Sequence, residues 1–244
     1  MGEAKRRKET GTPAPKTKVE KKKPLWVSAG ISVFAIILVI VFFATRPPSQ
    51  DSDSLPKASE NAGEFPAQLD QYGVSIGEDD APVVVREFAD YQCPACARFS
   101  SASQRLKEEF VESGDVRFVY YDLPLRQHEN AVPAALAARC AGDQNAYWPM
   151  HDKLFGSQSD WSATDSAVDV FTRYAEDLGL EARRFKSCMT SELHLEAVNR
   201  SREVATQLQV TSTPTVMVDN IRLTRPGWGQ LSAVVKRELA SAGQ

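Results

Sequence analysis

Cys93-Pro94-Ala95-Cys96 stands between a strand-like run, Val83-Val84-Val85 to Phe88, and a helix-like run from Ala97 to Phe110. Two thiols three positions apart at a helix start lie on one helical face, within reach of a small disulfide ring. The first also meets the unsatisfied backbone N–H groups and positive dipole end of that helix, which favour a thiolate. A stabilised thiolate is the species that thiol–disulfide exchange requires. Taken alone, the motif fits three roles: a redox pair, half a zinc site, or a passive staple. The remainder of the chain separates them.

The 244 residues leave room for one ordinary domain with tails, or for two small ones. The net charge of −3 conceals an asymmetry. Residues 1–24 carry nine Lys/Arg against three Glu (+6), and the rest carries 20 basic against 29 acidic residues (−9). An acidic main domain excludes nucleic acid as the expected partner, because binding it needs a positive surface. Leu25 to Ala44 has no charged residue and is dominated by Ile, Val, Phe and Leu. As a helix it is roughly 30 Å long, the thickness of a bilayer core. A cleaved signal peptide has a shorter apolar region ending in small-x-small, whereas Phe42-Phe43-Ala44 offers one small residue. Residues 25–45 therefore read as a single transmembrane anchor. Lys21-Lys22-Lys23 before it, against Arg46 alone just after, places the N-terminus in the cytoplasm and the main domain outside.

Outside the cytoplasm disulfides persist, and the chain has four cysteines. Spacing favours Cys93–Cys96 among the three possible pairings, which leaves Cys140 and Cys188 as a structural disulfide. Closing that loop of roughly 50 residues contributes up to about 4 kcal/mol on a chain-entropy argument. There is no second C-x-x-C, and His128, His151 and His194 show no ligand spacing, so no metal site is expected.

Residues 1–24 read as a basic disordered tail, 46–64 as a flexible Ser/Pro-rich linker and 65–240 as the folded domain. Within the domain, Val83–Phe88, Val116–Tyr121 and Thr215–Val218 are strand-like, the last followed by Ile221–Leu223 across a turn at Asp219-Asn220. The first two flank a helix and form a βαβ unit with parallel strands. From about 128 to 210 the pattern is helical. Asn130 is a candidate cap, Pro133 sits in a first turn, Gly142 and Gly179 mark stops, and Tyr147, Trp148 and Trp161 are candidate core. An amphipathic helix over 229–241 closes a βαβ, helical block, ββα order.

With C-x-x-C opening the first helix and Thr-Pro before the third strand, this order resembles the DsbA-like thiol–disulfide oxidoreductases of bacterial envelopes. Their α/β architecture is a thioredoxin-like fold with an inserted all-helical domain. The resemblance covers roughly residues 70–240. It rests on Glu87-Phe88-Ala89-Asp90-Tyr91-Gln92-Cys93-Pro94-Ala95-Cys96, on Tyr121-Asp122-Leu123-Pro124-Leu125, on the Ala-rich insert with Trp148, and on Thr213-Pro214-Thr215. It implies that Cys93 is the nucleophile and Cys96 the resolving thiol. Thr213 and Pro214 would form the cis-proline loop that faces them and binds substrate backbone. Glu87 would be a buried acid exchanging a proton with Cys96; the competing reading is a strand-end charge paired with Arg86. Pro94 suits the first helical turn.

Ala95 is a departure, because the strongest oxidants of the family carry His there. It predicts a Cys93 pKa below about 8.5 but depressed less than in those oxidants. The implied activity is exchange of the Cys93–Cys96 disulfide with cysteines of exported proteins, in the oxidising direction. It needs no cofactor beyond the cysteine pair and implies a membrane oxidase as re-oxidising partner. A reductase or isomerase of the same fold is the alternative, and a redox-inert peptide-binding chaperone is the alternative from another class.

Overall fold

The structure, a computed structural model, describes residues 55–58 and 63–243. The expected tail and anchor, and most of the linker, lie outside the described residues. Among those described, no helix is long and apolar enough to cross a membrane.

Five strands form one sheet: β1 (Val74–Ile76), β2 (Val83–Ala89), β3 (Val116–Asp122), β4 (Thr215–Val218) and β5 (Ile221–Arg222), in the order β1-β3-β2-β4-β5. β2 and β3 run parallel, with Val83 opposite Val116 and Ala89 opposite Asp122; the other neighbours are antiparallel. Every residue of β2 except Val84 is buried, as a central strand covered on both faces requires. The period of two sorts its side chains. Val83, Val85 and Ala89 join the cluster containing Phe99 of α1 (Pro94–Leu106) and Leu231 of the C-terminal helix, Trp228–Ala242. Phe88 joins the second cluster with Leu69, Val119 and Tyr121. Asp219, at φ 52, turns β4 into β5, and its carboxylate accepts the Val84 N–H at 2.9 Å.

The helices between β3 and β4 are α2 (Ala131–Gly142), α3 (Tyr147–Gly156), α4 (Gln158–Trp161), α5 (Ala167–Asp177), α6 (Ala182–Thr190) and α7 (Leu195–Gln207), followed after the hairpin by α8, the C-terminal helix. Cys140 of α2 and Cys188 of α6 are disulfide-bonded, with Cα atoms 5.8 Å apart. Gly179, at φ 74, ends α5 in the left-handed conformation that glycine adopts without strain.

One expectation is corrected, the side-chain capping role of Asn130. α7 packs on β3 and the 3₁₀ turn Ala67–Tyr72 as well as on α2. Its Val204 and Ala205 bury against the sheet face that Phe88 and Tyr121 would otherwise expose. Asn130 does not cap α2 with its side chain; its amide instead donates to the carbonyls of Trp161 and Thr164 at 3.1 and 2.8 Å.

Arg86 and Glu87 project to opposite faces of β2. Arg86 pairs with Asp70 through two 2.7 Å contacts, and its guanidinium lies 3.9 Å over the Phe65 ring. The Tyr121 hydroxyl donates to the same carboxylate at 2.7 Å. Removing one member of a buried pair leaves an uncompensated charge. Asp70→Ala is therefore expected to lower stability by about 3–5 kcal/mol in urea unfolding. A loss under about 1 kcal/mol, the range of exposed pairs, would contradict this account.

Candidate active site

Pro94 opens α1, and Cys93 is its N-cap residue, with extended backbone (φ −73, ψ 122). The proline lacks an N–H, so the first backbone donors of the helix are those of Ala95 and Cys96. Both favour the Cys93 thiolate, although neither makes a capping hydrogen bond to its side chain. One turn in, Cys96 is fully enclosed while Cys93 keeps 8% of its surface exposed, so only the first thiol meets solvent. Both cysteines are unbonded in this structure.

The Thr213–Pro214 peptide bond is cis, and it brings the Thr213 carbonyl to 3.8 Å from the Cys93 sulfur. The Thr213 hydroxyl is enclosed and has no hydrogen-bond partner among the described residues. The Cys96 thiol, then Thr213 and the two backbone N–H groups, outweigh the opposing effect of burial and lower the Cys93 pKa to about 4. The pKa is thus depressed as expected, and the backbone of Ala95 adds a small part of the effect. Burial pushes the Cys96 thiol far up, with the neighbouring Cys93 and Glu87 adding to it. The two sulfurs are therefore electrostatically unlike, a thiolate beside a neutral thiol.

Glu87 lies beneath α1, where its carboxylate accepts the Ser103 hydroxyl at 2.7 Å and its other oxygen has no partner among the described residues. Burial raises its pKa to about 7, against the smaller opposing effects of Ser103 and Lys107. The pairing with Arg86 does not form.

Sequence reasoning missed the frame that holds the loop before Cys93. Asp90 accepts the Gln92 N–H at 2.7 Å with one oxygen, and the Leu125 N–H at 2.8 Å and His128 Nδ1 at 2.7 Å with the other. Burial raises its pKa. Gln158 donates to the carbonyls of Tyr91 and Cys93 at 2.6 and 3.1 Å, and Gln92 bridges Ser162 and Asn130 at 2.7 Å each. The insert thus fixes the backbone that carries Cys93. Asp90 at the start of a turn was a readable local signal. Gln158, 65 residues from Cys93, left none. Beside the pair, Ala95, Phe99, Ala102, Pro214, Pro226 and Trp228 line a shallow apolar groove with Arg98 at its edge.

A cysteine pair at the N-terminus of a helix, faced by a cis-proline loop on a five-stranded sheet with a helical insert, defines a DsbA-like thiol–disulfide oxidoreductase. The sequence profile of the Thioredoxin family matches residues 70–237, and the chain belongs to that family. It is similar to a probable disulfide bond formation protein D of Bacillus anthracis, 30% identical over 171 residues that cover 68% of this chain and 77% of that protein. It also matches the Na(+)/H(+) antiporter NhaA 3 of Salinispora tropica, 33% identical over 84% of this chain but only 31% of the antiporter. Among solved structures, oxidised BdbD from Bacillus subtilis superposes with a TM-score of 0.62 at 25% identity, covering 70% of this chain and 94% of BdbD. The α-DsbA1 of Wolbachia pipientis superposes at 0.63 with 18% identity, covering 70% of this chain and 92% of its own, a likeness of fold.

The sign of the pH dependence follows from the two thiols. The Cys93 pKa is depressed in the reduced fold, so the stability it contributes is complete above the unfolded value near 9.0 and is lost as pH falls through about 4. A disulfide has no such proton. The stability of the reduced protein relative to the oxidised one should therefore rise with pH between about 4 and 9, as measured by paired urea titrations. A difference independent of pH across that window would show that Cys93 is not held as a thiolate.

Proposed function

We propose that this protein is an extracytoplasmic disulfide-forming oxidase, tethered by residues 25–45, that transfers the Cys93–Cys96 disulfide to cysteine pairs of exported proteins. The observation that carries this reading is the unlikeness of the two sulfurs: a stabilised Cys93 thiolate beside an enclosed, neutral Cys96 thiol. Stabilising the reduced form makes the disulfide a stronger oxidant. The relative from Bacillus anthracis, whose name concerns disulfide formation, supports the same direction.

In the proposed cycle a substrate thiolate attacks the Cys93 sulfur, and the Cys93–Cys96 bond breaks. Cys96 leaves as a thiolate and takes a proton from Glu87, whose pKa near 7 lets it hold and release one at neutral pH. A second substrate thiolate then attacks its partner's sulfur in the mixed disulfide, and Cys93 departs as the stable thiolate. The substrate has lost two electrons and the protein has gained them. Thr213 and Pro214 hold the substrate backbone beside Cys93. No cofactor enters this cycle, and a membrane oxidase returns the cysteine pair to the disulfide.

Oxidative refolding of a reduced test protein by the full chain tests the proposal. Cys93→Ser should abolish catalysis, and Cys96→Ser, offered the test protein in its disulfide form, should accumulate a mixed disulfide through Cys93, which displaces one substrate thiolate and has no partner to resolve it. Glu87→Gln should slow the proton-coupled step on the order of 10²-fold at pH 7 while leaving attack at Cys93 unchanged. Full activity in Cys93→Ser would replace the oxidase with the redox-inert peptide-binding reading. Labelling of Cys93 in intact cells by a membrane-impermeant thiol reagent, after a membrane-impermeant phosphine has reduced the pair, tests the extracytoplasmic placement; protection from it would contradict that placement.

A further inference from the structure

The Cys140–Cys188 disulfide lies among side chains far apart in the chain. The sulfurs of Cys140 and Cys188 and a ring nitrogen of His194 all lie within 4.8 Å of one another. His194 Nε2 is 2.9 Å from Asp143 Oδ2, and that oxygen is 3.7 Å from the Cys188 sulfur. Cys140 is on α2 with Asp143 just past its end, Cys188 is on α6, and His194 directly precedes α7. One carboxylate, one imidazole and two sulfurs thus meet at the junction of three helices. While the sulfurs are bonded to each other, neither is a thiolate and the set has only two metal donors.

We propose that reduction of the Cys140–Cys188 disulfide converts this cluster into a four-ligand site for a divalent ion of the zinc class. Zinc takes four thiolate, imidazole and carboxylate donors tetrahedrally, at about 2.3 Å from sulfur and about 2.0–2.2 Å from nitrogen and oxygen. Two sulfurs on one tetrahedral zinc stand roughly 3.8 Å apart, a separation that two cysteine side chains can reach from Cα atoms 5.8 Å apart once the bond between them is gone. The surroundings suit a metal. The two cysteines are buried, whereas His194 and Asp143 are part-exposed and provide the entry path.

The chemistry balances with a dithiol as reductant. Its first thiolate attacks a disulfide sulfur, and its second releases the mixed disulfide. The dithiol is oxidised to its own disulfide, and the protein receives two electrons and two protons. The metal then displaces both thiol protons to solvent. Bound metal holds α2, α6 and the start of α7 together in place of the covalent bond. The same state is open to the chain before this disulfide forms, so metal capture and oxidation compete for one pair of sulfurs. The site is separate from Cys93 and Cys96 and does not rest on the proposed oxidase activity.

The test uses the full chain carrying Cys93→Ser and Cys96→Ser, so that Cys140 and Cys188 are its only thiols. It is reduced with a phosphine and titrated with Co²⁺ alone, then with Zn²⁺ in competition. Expected are one Co²⁺ per chain with a thiolate-to-cobalt charge-transfer band, displacement by Zn²⁺, and no band from the oxidised chain. His194→Ala and Asp143→Ala should each weaken binding by at least about 10-fold. If reduction alone unfolds the chain, Zn²⁺ should restore its helical circular dichroism, since the binding free energy of such a site is folding free energy. A reduced chain that neither binds Co²⁺ nor refolds with Zn²⁺ overturns the proposal. So does a charge-transfer band that survives both substitutions unchanged.

Discussion

The Cys93 sulfur sits where the first backbone N–H groups of α1 have no carbonyl to reach, and the chemistry of the site follows from that placement. Pro94 brings no N–H to this first turn, and the backbone groups of Ala95 and Cys96 favour the thiolate. The Cys96 thiol contributes most to holding the charge, and Thr213 and these backbone groups add to it. The three-residue spacing then sends Cys96 inward, where burial keeps its proton in place. A pair of identical side chains becomes a thiolate and a thiol because one turn of helix separates solvent from core.

The central strand carries this asymmetry further. The alternation of β2 places Arg86 and Glu87 on opposite faces, each buried and each treated differently. Arg86 meets Asp70 and Tyr121 and is fully compensated. Glu87 meets a single hydroxyl from Ser103, which is too little to offset desolvation, so its proton is held near neutral pH. A compensated ion pair anchors the sheet under α7, and an under-compensated acid lies below the redox pair. The same strand holds a paired charge on one face and a buried acid with a raised pKa on the other.

Much of this was legible in the sequence because it is local. The strand, the C-x-x-C, the helix behind it and the Thr-Pro before β4 are each written within a few residues. Their order resembled a known architecture, and the Cys140–Cys188 pairing followed from the cysteine count. What the chain did not display are meetings made only by folding. Gln158 reaches the Cys93 carbonyl from the insert, and His128 reaches Asp90 from the loop after β3. The periodicity of α7 is that of any amphipathic helix, and nothing in it says that its apolar stripe belongs to the sheet rather than to the helical block. Asn130 looks like a cap by residue type, yet its amide finds two better-placed carbonyls across the insert. His194 and Asp143 show no metal-ligand spacing because 51 residues separate them.

The central claim is that the fold stabilises the reduced form of the cysteine pair by holding Cys93 as a thiolate. The reduction potential of Cys93–Cys96, measured by equilibration with glutathione, tests it directly. The account predicts a strongly oxidising value, close to about −120 mV. A value close to about −270 mV, that of a thioredoxin-type reductant, would contradict it.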